Sequence, residues 1–120
     1  MRIGMLEIHD FCLEFFPSTK STTFLVESCG VADIMTSCMG GRNRRVAMEM
    51  VKTKRSFQEL EQELLNGQKL QGALTALELH QFLDAHGVDN IKRKKKYPLF
   101  ENVWKICFEG MEPERLTDNL

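Results

Sequence analysis

A chain of 120 residues, 42% hydrophobic and 28% charged, suits one domain with a modest core of its own. Its formal net charge of −1 gives no global pull toward nucleic acid or a membrane surface, and no apolar stretch is long enough to span a bilayer. The four cysteines, Cys12, Cys29, Cys38 and Cys107, form no C-x-x-C pair and match no histidine at ligand spacing. Free thiols are therefore expected rather than disulfides or a metal site. Glu7, His9 and Asp10 interrupt the first apolar run, which argues against a signal peptide, and a soluble cytoplasmic chain is expected.

In chain order, Arg2 to Phe16 reads as an amphipathic helix stopped by Pro17, with Ile3, Leu6, Cys12, Leu13 and Phe16 as its buried side. Nothing before Arg2 can cap it, so this first helix reads as truncated at its start. Ser18 to Thr23 is polar and supplies caps for the helix that leads into the stretch from Glu27 to Asn43. Gly30 inside that helix suggests close packing. Val31, Ile34 and Met35 then form an apolar stripe, while Asp33 and Ser37 stand four residues apart on one face. Asp33 lies among apolar neighbours, and a buried aspartate needs a cation or hydrogen-bond donors. Gly40-Gly41 halts the helix, and Arg42 and Asn43 open the next one. The free N–H groups of a helix start and a guanidinium fork suit a phosphate. A helix–turn–helix corner with a surface arginine gives the same spacing.

From Arg44 to Lys54, Val46, Ala47, Met50 and Val51 recur at helical spacing. Ser56 and Glu59 form a capping box ahead of Leu60, Leu64 and Leu65, and Asn66-Gly67 closes that helix. Gln68 to Gly72 reads as a polar connector. Thr75 and Glu78 form a second capping box, with Leu74 and Leu79 as its staple, for a helix carrying Leu77, Phe82 and Leu83 and ending at Gly87. Val88 to Lys96 reads as a charged, solvated loop, with a nucleic-acid patch as the lesser reading. Pro98 starts a last helix through Val103, Trp104, Cys107 and Phe108, followed by a polar, frayed tail from Met111 to Leu120. No segment alternates as a strand does. The expected fold is all-α, a compact bundle of about six helices. His9, His80 and His86 are scattered, and no phosphate-binding glycine loop or nucleophile elbow is present.

Several motifs carry a family resemblance. Glu-Ser-Cys-Gly-Val-Ala-Asp at 27–33, Gly-Gly-Arg-Asn-Arg at 40–44 and Glu-Leu-Leu-Asn-Gly-Gln-Lys-Leu-Gln-Gly at 63–72 resemble eukaryotic NAD-dependent glycerol-3-phosphate dehydrogenase. Arg-Ile-Gly-Met-Leu at 2–6, Pro98-Leu99-Phe100 and Cys107-Phe108-Glu109-Gly110 resemble it as well. The likeness runs in order along nearly the whole chain and covers the family's C-terminal helical domain, of the 6-phosphogluconate dehydrogenase C-terminal-like kind.

The resemblance implies that residues 1–120 form a substrate-binding domain, with the Rossmann NAD-binding domain and the catalytic lysine lying upstream of Met1. It implies that Arg42 and Asn43 hold the substrate phosphate, that Arg42, Lys69 and Gln71 reach NAD, and that Asp33 and Ser37 support the absent lysine. Ser37 stands where the family usually has threonine. In the complete enzyme, a homodimer, hydride would pass reversibly between NADH and dihydroxyacetone phosphate to give glycerol 3-phosphate. The isolated chain is expected to be inactive, since it lacks a proton acceptor for the alcohol and a loop for the pyrophosphate. The alternative is a non-catalytic helical module that binds an organic phosphate or pairs with a full-length subunit.

Overall fold

The structure, a computed structural model, describes residues 1–120 and contains eight α-helices, one 3-10 helix and no strand. The chain divides into two compact units, Met1–Gly41 and Arg42–Leu120.

The first unit holds α1 (Arg2–Phe15), α2 (Thr23–Val26) and α3 (Val31–Met39). Helix α1 starts without a side-chain cap and ends before Pro17, as its sequence indicates. Its apolar side differs from expectation. Ile3, Leu6, Leu13 and Phe16 are exposed, Cys12 is half-buried, and the buried residue of the helix is Glu7. The stripe exists, but so short a unit has too little chain to cover it. His9 ties α1 to the segment that follows: its Nε2 lies 2.7 Å from Ser21 Oγ, and its ring meets the buried Phe24 edge-on. Gly30 is not inside a helix but caps the start of α3, separating it from α2. A Cβ there would lie 2.0 Å from the carbonyl oxygen of Phe24, so the turn needs a residue without one. Gly41, at φ +95°, ends α3 in the left-handed conformation.

The second unit holds α4 (Arg42–Thr53), α5 (Phe57–Leu64), α6 (Gln71–Ala85), α7 (Asn90–Lys96), α8 (Pro98–Phe108) and the 3-10 turn Pro113–Arg115. Val46, Phe57, Leu60, Leu65, Leu70 and Ala73 form one buried cluster, with Met50, Leu64 and Cys107 packed against it, and Ala76, Leu83, Val88 and Tyr97 are buried as well. The capping box of α5 is formed: Ser56 Oγ accepts the Glu59 N–H and Glu59 accepts the Ser56 N–H at 3.0 Å. Helices α6 and α8 pack together, with the rings of His80 and Trp104 stacked 3.5 Å apart.

Three expectations for this unit are corrected. Helix α6 begins at Gln71, so Thr75 and Glu78 lie inside it and form no cap. Val88–Lys96 is not a loop. Asp89 Oδ1 accepts the Lys92 N–H at 2.9 Å and starts α7, and Arg93 is buried, donating to Val88 O and to Asp84. The four lysines of the run remain exposed, as a solvated face should be. The tail is also held, because Asn102 Nδ2 donates to the carbonyls of Leu116 and Asp118 at 3.0 and 2.9 Å. Helices α2 and α7 bring the count from six to eight. Both are too short to register as a period in sequence.

Candidate functional site

The site is built at the start of α4 and α6. Helix α6 has an apolar residue, Leu70, at its cap and no side-chain acceptor of its own. Its first N–H groups are satisfied instead from neighbouring helices. Asn43 of α4 accepts the Gly72 N–H through Oδ1 at 3.2 Å. Glu61 of α5 accepts the Leu70 N–H through Oε2 at 2.6 Å. Gly72 makes the first contact feasible, since a Cβ there would lie 2.8 Å from Asn43 Oδ1. With Oδ1 engaged, the Asn43 Nδ2 is left as a donor.

Arg42, the first residue of α4, is exposed and donates from Nη1 to Gln68 Oε1 at 2.9 Å. One arm of its fork is thus held while the rest of the guanidinium remains available. Lys69 is 77% exposed, yet its Nζ lies 3.0 Å from Glu61 Oε1. The Leu70 amide first, and the Lys69 ammonium second, hold the Glu61 carboxyl below its ordinary value of 4.5. Gln71 is exposed at the first position of α6.

Arg42, Asn43, Lys69 and Gln71 are therefore joined to one framework through Gln68, Gly72 and Glu61. Asp33 and Ser37 belong to the other unit and lie exposed on α3, a helix with no buried residue. The expectation that Asp33 is buried is corrected. Its neighbours Val31 and Met35 are themselves exposed, so their apolar character gives it no cover.

Gln68 and Glu61 were missed in sequence as site residues. Glu61 does leave a signal, because it interrupts the apolar stripe Phe57, Leu60 and Leu64 of α5 at helical spacing. Gln68 leaves none beyond its polarity. A mostly apolar cavity of about 340 Å³ borders Asn43 and Gly72 and runs along Ala47, Ala73 and Cys107. Burial there pushes the Cys107 thiol up. A larger hollow of about 540 Å³, between α8 and the tail, shares no residue with the arginine–asparagine corner.

This architecture defines a helical domain in which one helix start presents an arginine fork and a side-chain amide, a donor set suited to an oxyanion. The sequence matches the family model described as NAD-dependent glycerol-3-phosphate dehydrogenase C-terminus over residues 1–118, and the chain belongs to that family. It is 47% identical over 119 residues to glycerol-3-phosphate dehydrogenase [NAD(+)] of Eremothecium gossypii, covering 99% of this chain and 27% of that protein. It is 47% identical over 110 residues to the cytoplasmic enzyme of Mus musculus, covering 92% of this chain and 30% of that protein. The solved structure of the Saccharomyces cerevisiae enzyme superposes with a TM-score of 0.88 at 40% identity, over 98% of this chain and 32% of that one. The chain thus spans less than a third of the length of these relatives. No helix in it is long and apolar enough to cross a membrane.

Proposed function

We propose that this chain is the substrate-binding helical domain of a cytoplasmic NAD-dependent glycerol-3-phosphate dehydrogenase, with Arg42 and Asn43 as the phosphate contacts. The observation that carries this reading is the orientation of the corner. Gln68 engages one arm of Arg42 and Gly72 engages the acceptor of Asn43, which leaves donors for an anion. Lys69 and Gln71, exposed on the same framework, are suited to the polar parts of NAD, whose bound form supplies the hydride acceptor. Lys69 would exchange Glu61 for an anionic group of the cofactor. Asp33 and Ser37 would act in support, positioning the proton-accepting lysine that the family resemblance places upstream. In the complete homodimeric enzyme the reaction is hydride transfer between NADH and dihydroxyacetone phosphate.

The test is a titration of the 120-residue chain with glycerol 3-phosphate, followed by NMR shifts at moderate salt. Charge-assisted hydrogen bonds are worth about 1.5–3 kcal/mol, so Arg42→Ala should weaken binding roughly ten- to a hundredfold. Arg42→Lys should lose much of that as well, because an ammonium cannot make the bidentate contact. Lys95→Ala, in the exposed basic helix, is the control and should change little. Equal losses for Arg42→Ala and Lys95→Ala would reduce the attraction to diffuse charge.

A second reading is favoured by the exposure of Leu25, Val26 and Met39, at 72%, 80% and 77%. In it, the chain is a non-catalytic module whose first unit pairs with a full-length subunit. Co-sedimentation with a full-length relative decides whether such pairing occurs.

A further inference from the structure

Helix α5 carries Phe57, Leu60, Glu61 and Leu64 along one stripe, and three of these are the apolar residues a core helix needs. Glu61 occupies the remaining place with only 7% of its surface exposed. A carboxylate so placed is costly unless its oxygens find donors, and here both do. Oε2 takes the Leu70 N–H at 2.6 Å, and Oε1 takes Lys69 Nζ at 3.0 Å. The residue before Lys69 is Gln68, which receives Arg42 Nη1 at 2.9 Å. Three successive connector residues are thus tied down: Gln68 to Arg42, and Lys69 and Leu70 to Glu61. The connector has two other ties: the Gln68 N–H donates to Leu65 O at 2.9 Å, and the Leu70 side chain belongs to the core. Leu70 is buried, while Asn66, Gly67, Gln68 and Lys69 are exposed.

We propose that Glu61 is a positioning residue for the phosphate corner. Its carboxylate fixes the Gln68–Leu70 connector so that Gln68 holds the Arg42 fork in one orientation before an anion arrives. The proposal rests on the reading of Arg42 and Asn43 as the phosphate site. Glu61 itself touches no substrate; it acts through the connector. A neutral glutamine of the same shape can still accept the Leu70 N–H, but it loses the charge that strengthens this bond and the attraction for Lys69.

The experiment uses the isotope-labelled 120-residue chain with glycerol 3-phosphate as the probe at neutral pH. Glu61→Gln should speed hydrogen exchange at the Leu70 amide by about tenfold or more and weaken glycerol 3-phosphate several-fold. Glu59→Ala, which opens the capping box of the same helix without touching the connector, should lower stability but leave that affinity unchanged. In the wild-type chain without ligand, the Gln68 side-chain amide signals should shift with the same midpoint as the Glu61 carboxyl, below 4.5. This measurement decides the matter even where Glu61→Gln fails to fold.

Gln68 signals that ignore the Glu61 midpoint would overturn the proposal. So would an affinity unchanged by Glu61→Gln, or one lowered equally by Glu59→Ala. Wild-type binding with no effect of Glu61→Gln removes this inference alone. Absence of wild-type binding removes the phosphate reading and this inference with it.

Discussion

At the scale of single residues, Gly30 and Gly72 are positions where one added methyl group decides the local structure, for different reasons. At Gly30 the obstacle is backbone, the Phe24 carbonyl at 2.0 Å, which cannot move without shifting α2. Gly30→Ala should therefore destabilise the first unit by about 1–3 kcal/mol, the usual cost of overpacking, measured by denaturant unfolding. At Gly72 the obstacle is the Asn43 amide, a side chain that can swing away. Gly72→Ala should be tolerated better by the fold but should cost phosphate affinity, because it displaces Asn43, which caps α6 and is the proposed phosphate contact. A Gly72→Ala chain that binds glycerol 3-phosphate as tightly as wild type would detach Asn43 from the site.

At the scale of elements, the basic segment shows how one cap can turn an apparent loop into a helix. Lys92, Lys94, Lys95 and Lys96 repel one another and bring no apolar period. Asp89 supplies the N-terminal acceptor, and Arg93, Lys94, Lys95 and Lys96 fall in the last turn, where the helix dipole favours cations. Arg93 then anchors the helix through Val88 O, Asp84 and, at 3.4 Å, Glu101. Asp89→Ala should cost about 1 kcal/mol, the typical value of a lost cap, with amide exchange accelerated first at Lys92. Arg93→Ala should cost more, since it removes the ties to Val88 O and Asp84 and leaves the buried Glu101 with Lys105 and His80 as its remaining partners. Helix α6 is the opposite case. Its sequence offers a capping box at Thr75 and Glu78 that goes unused, because Asn43 and Glu61 meet the earlier N–H groups from outside.

At the scale of the whole molecule, apolar exposure and acid sensitivity are the measurable consequences. Met1–Gly41 leaves Leu6, Leu25, Val26, Met35 and Met39 exposed, more than a short unit can hide. The chain should self-associate, as sedimentation would show. A monodisperse monomer with a cooperative melt above roughly 65 °C would count against this. Glu61, like Glu59 and Glu114, carries a pH dependence. Hydrogen bonding from Leu70 and Lys69 holds its native carboxyl below 4.5, so the unfolded chain binds its proton first. Its stabilisation is present above 4.5 and is lost as pH falls through the lower native value. Denaturant unfolding at pH 7 and at pH 3 should show the loss, and Glu61→Gln should reduce it without removing the share of Glu59 and Glu114.

No NADH oxidation with dihydroxyacetone phosphate above a protein-free blank is expected from the 120 residues alone. Turnover on the order of 1 per second or more would overturn that. That expectation follows from the family resemblance, which covers the C-terminal domain and places the dinucleotide loop and the proton-accepting lysine outside it.

Local chemistry settled much of this molecule before any contact was known. The apolar periods marked six of the helices, Ser56 and Glu59 placed the start of α5, Pro98 the start of α8, and Gly40-Gly41 the corner at Arg42. Each depends on neighbours a few residues apart, and such neighbours are fixed by sequence alone. Burial and tertiary capping are different, because they depend on which distant segments arrive. Whether the apolar side of α1 is covered, whether Asp33 is enclosed, and which groups cap α6 could not follow from period or spacing. Glu61 shows the division most plainly. Its place on the α5 stripe is written in the sequence, but its donors, Lys69 and Leu70, come from beyond the end of that helix, and only folding brings them to the carboxylate.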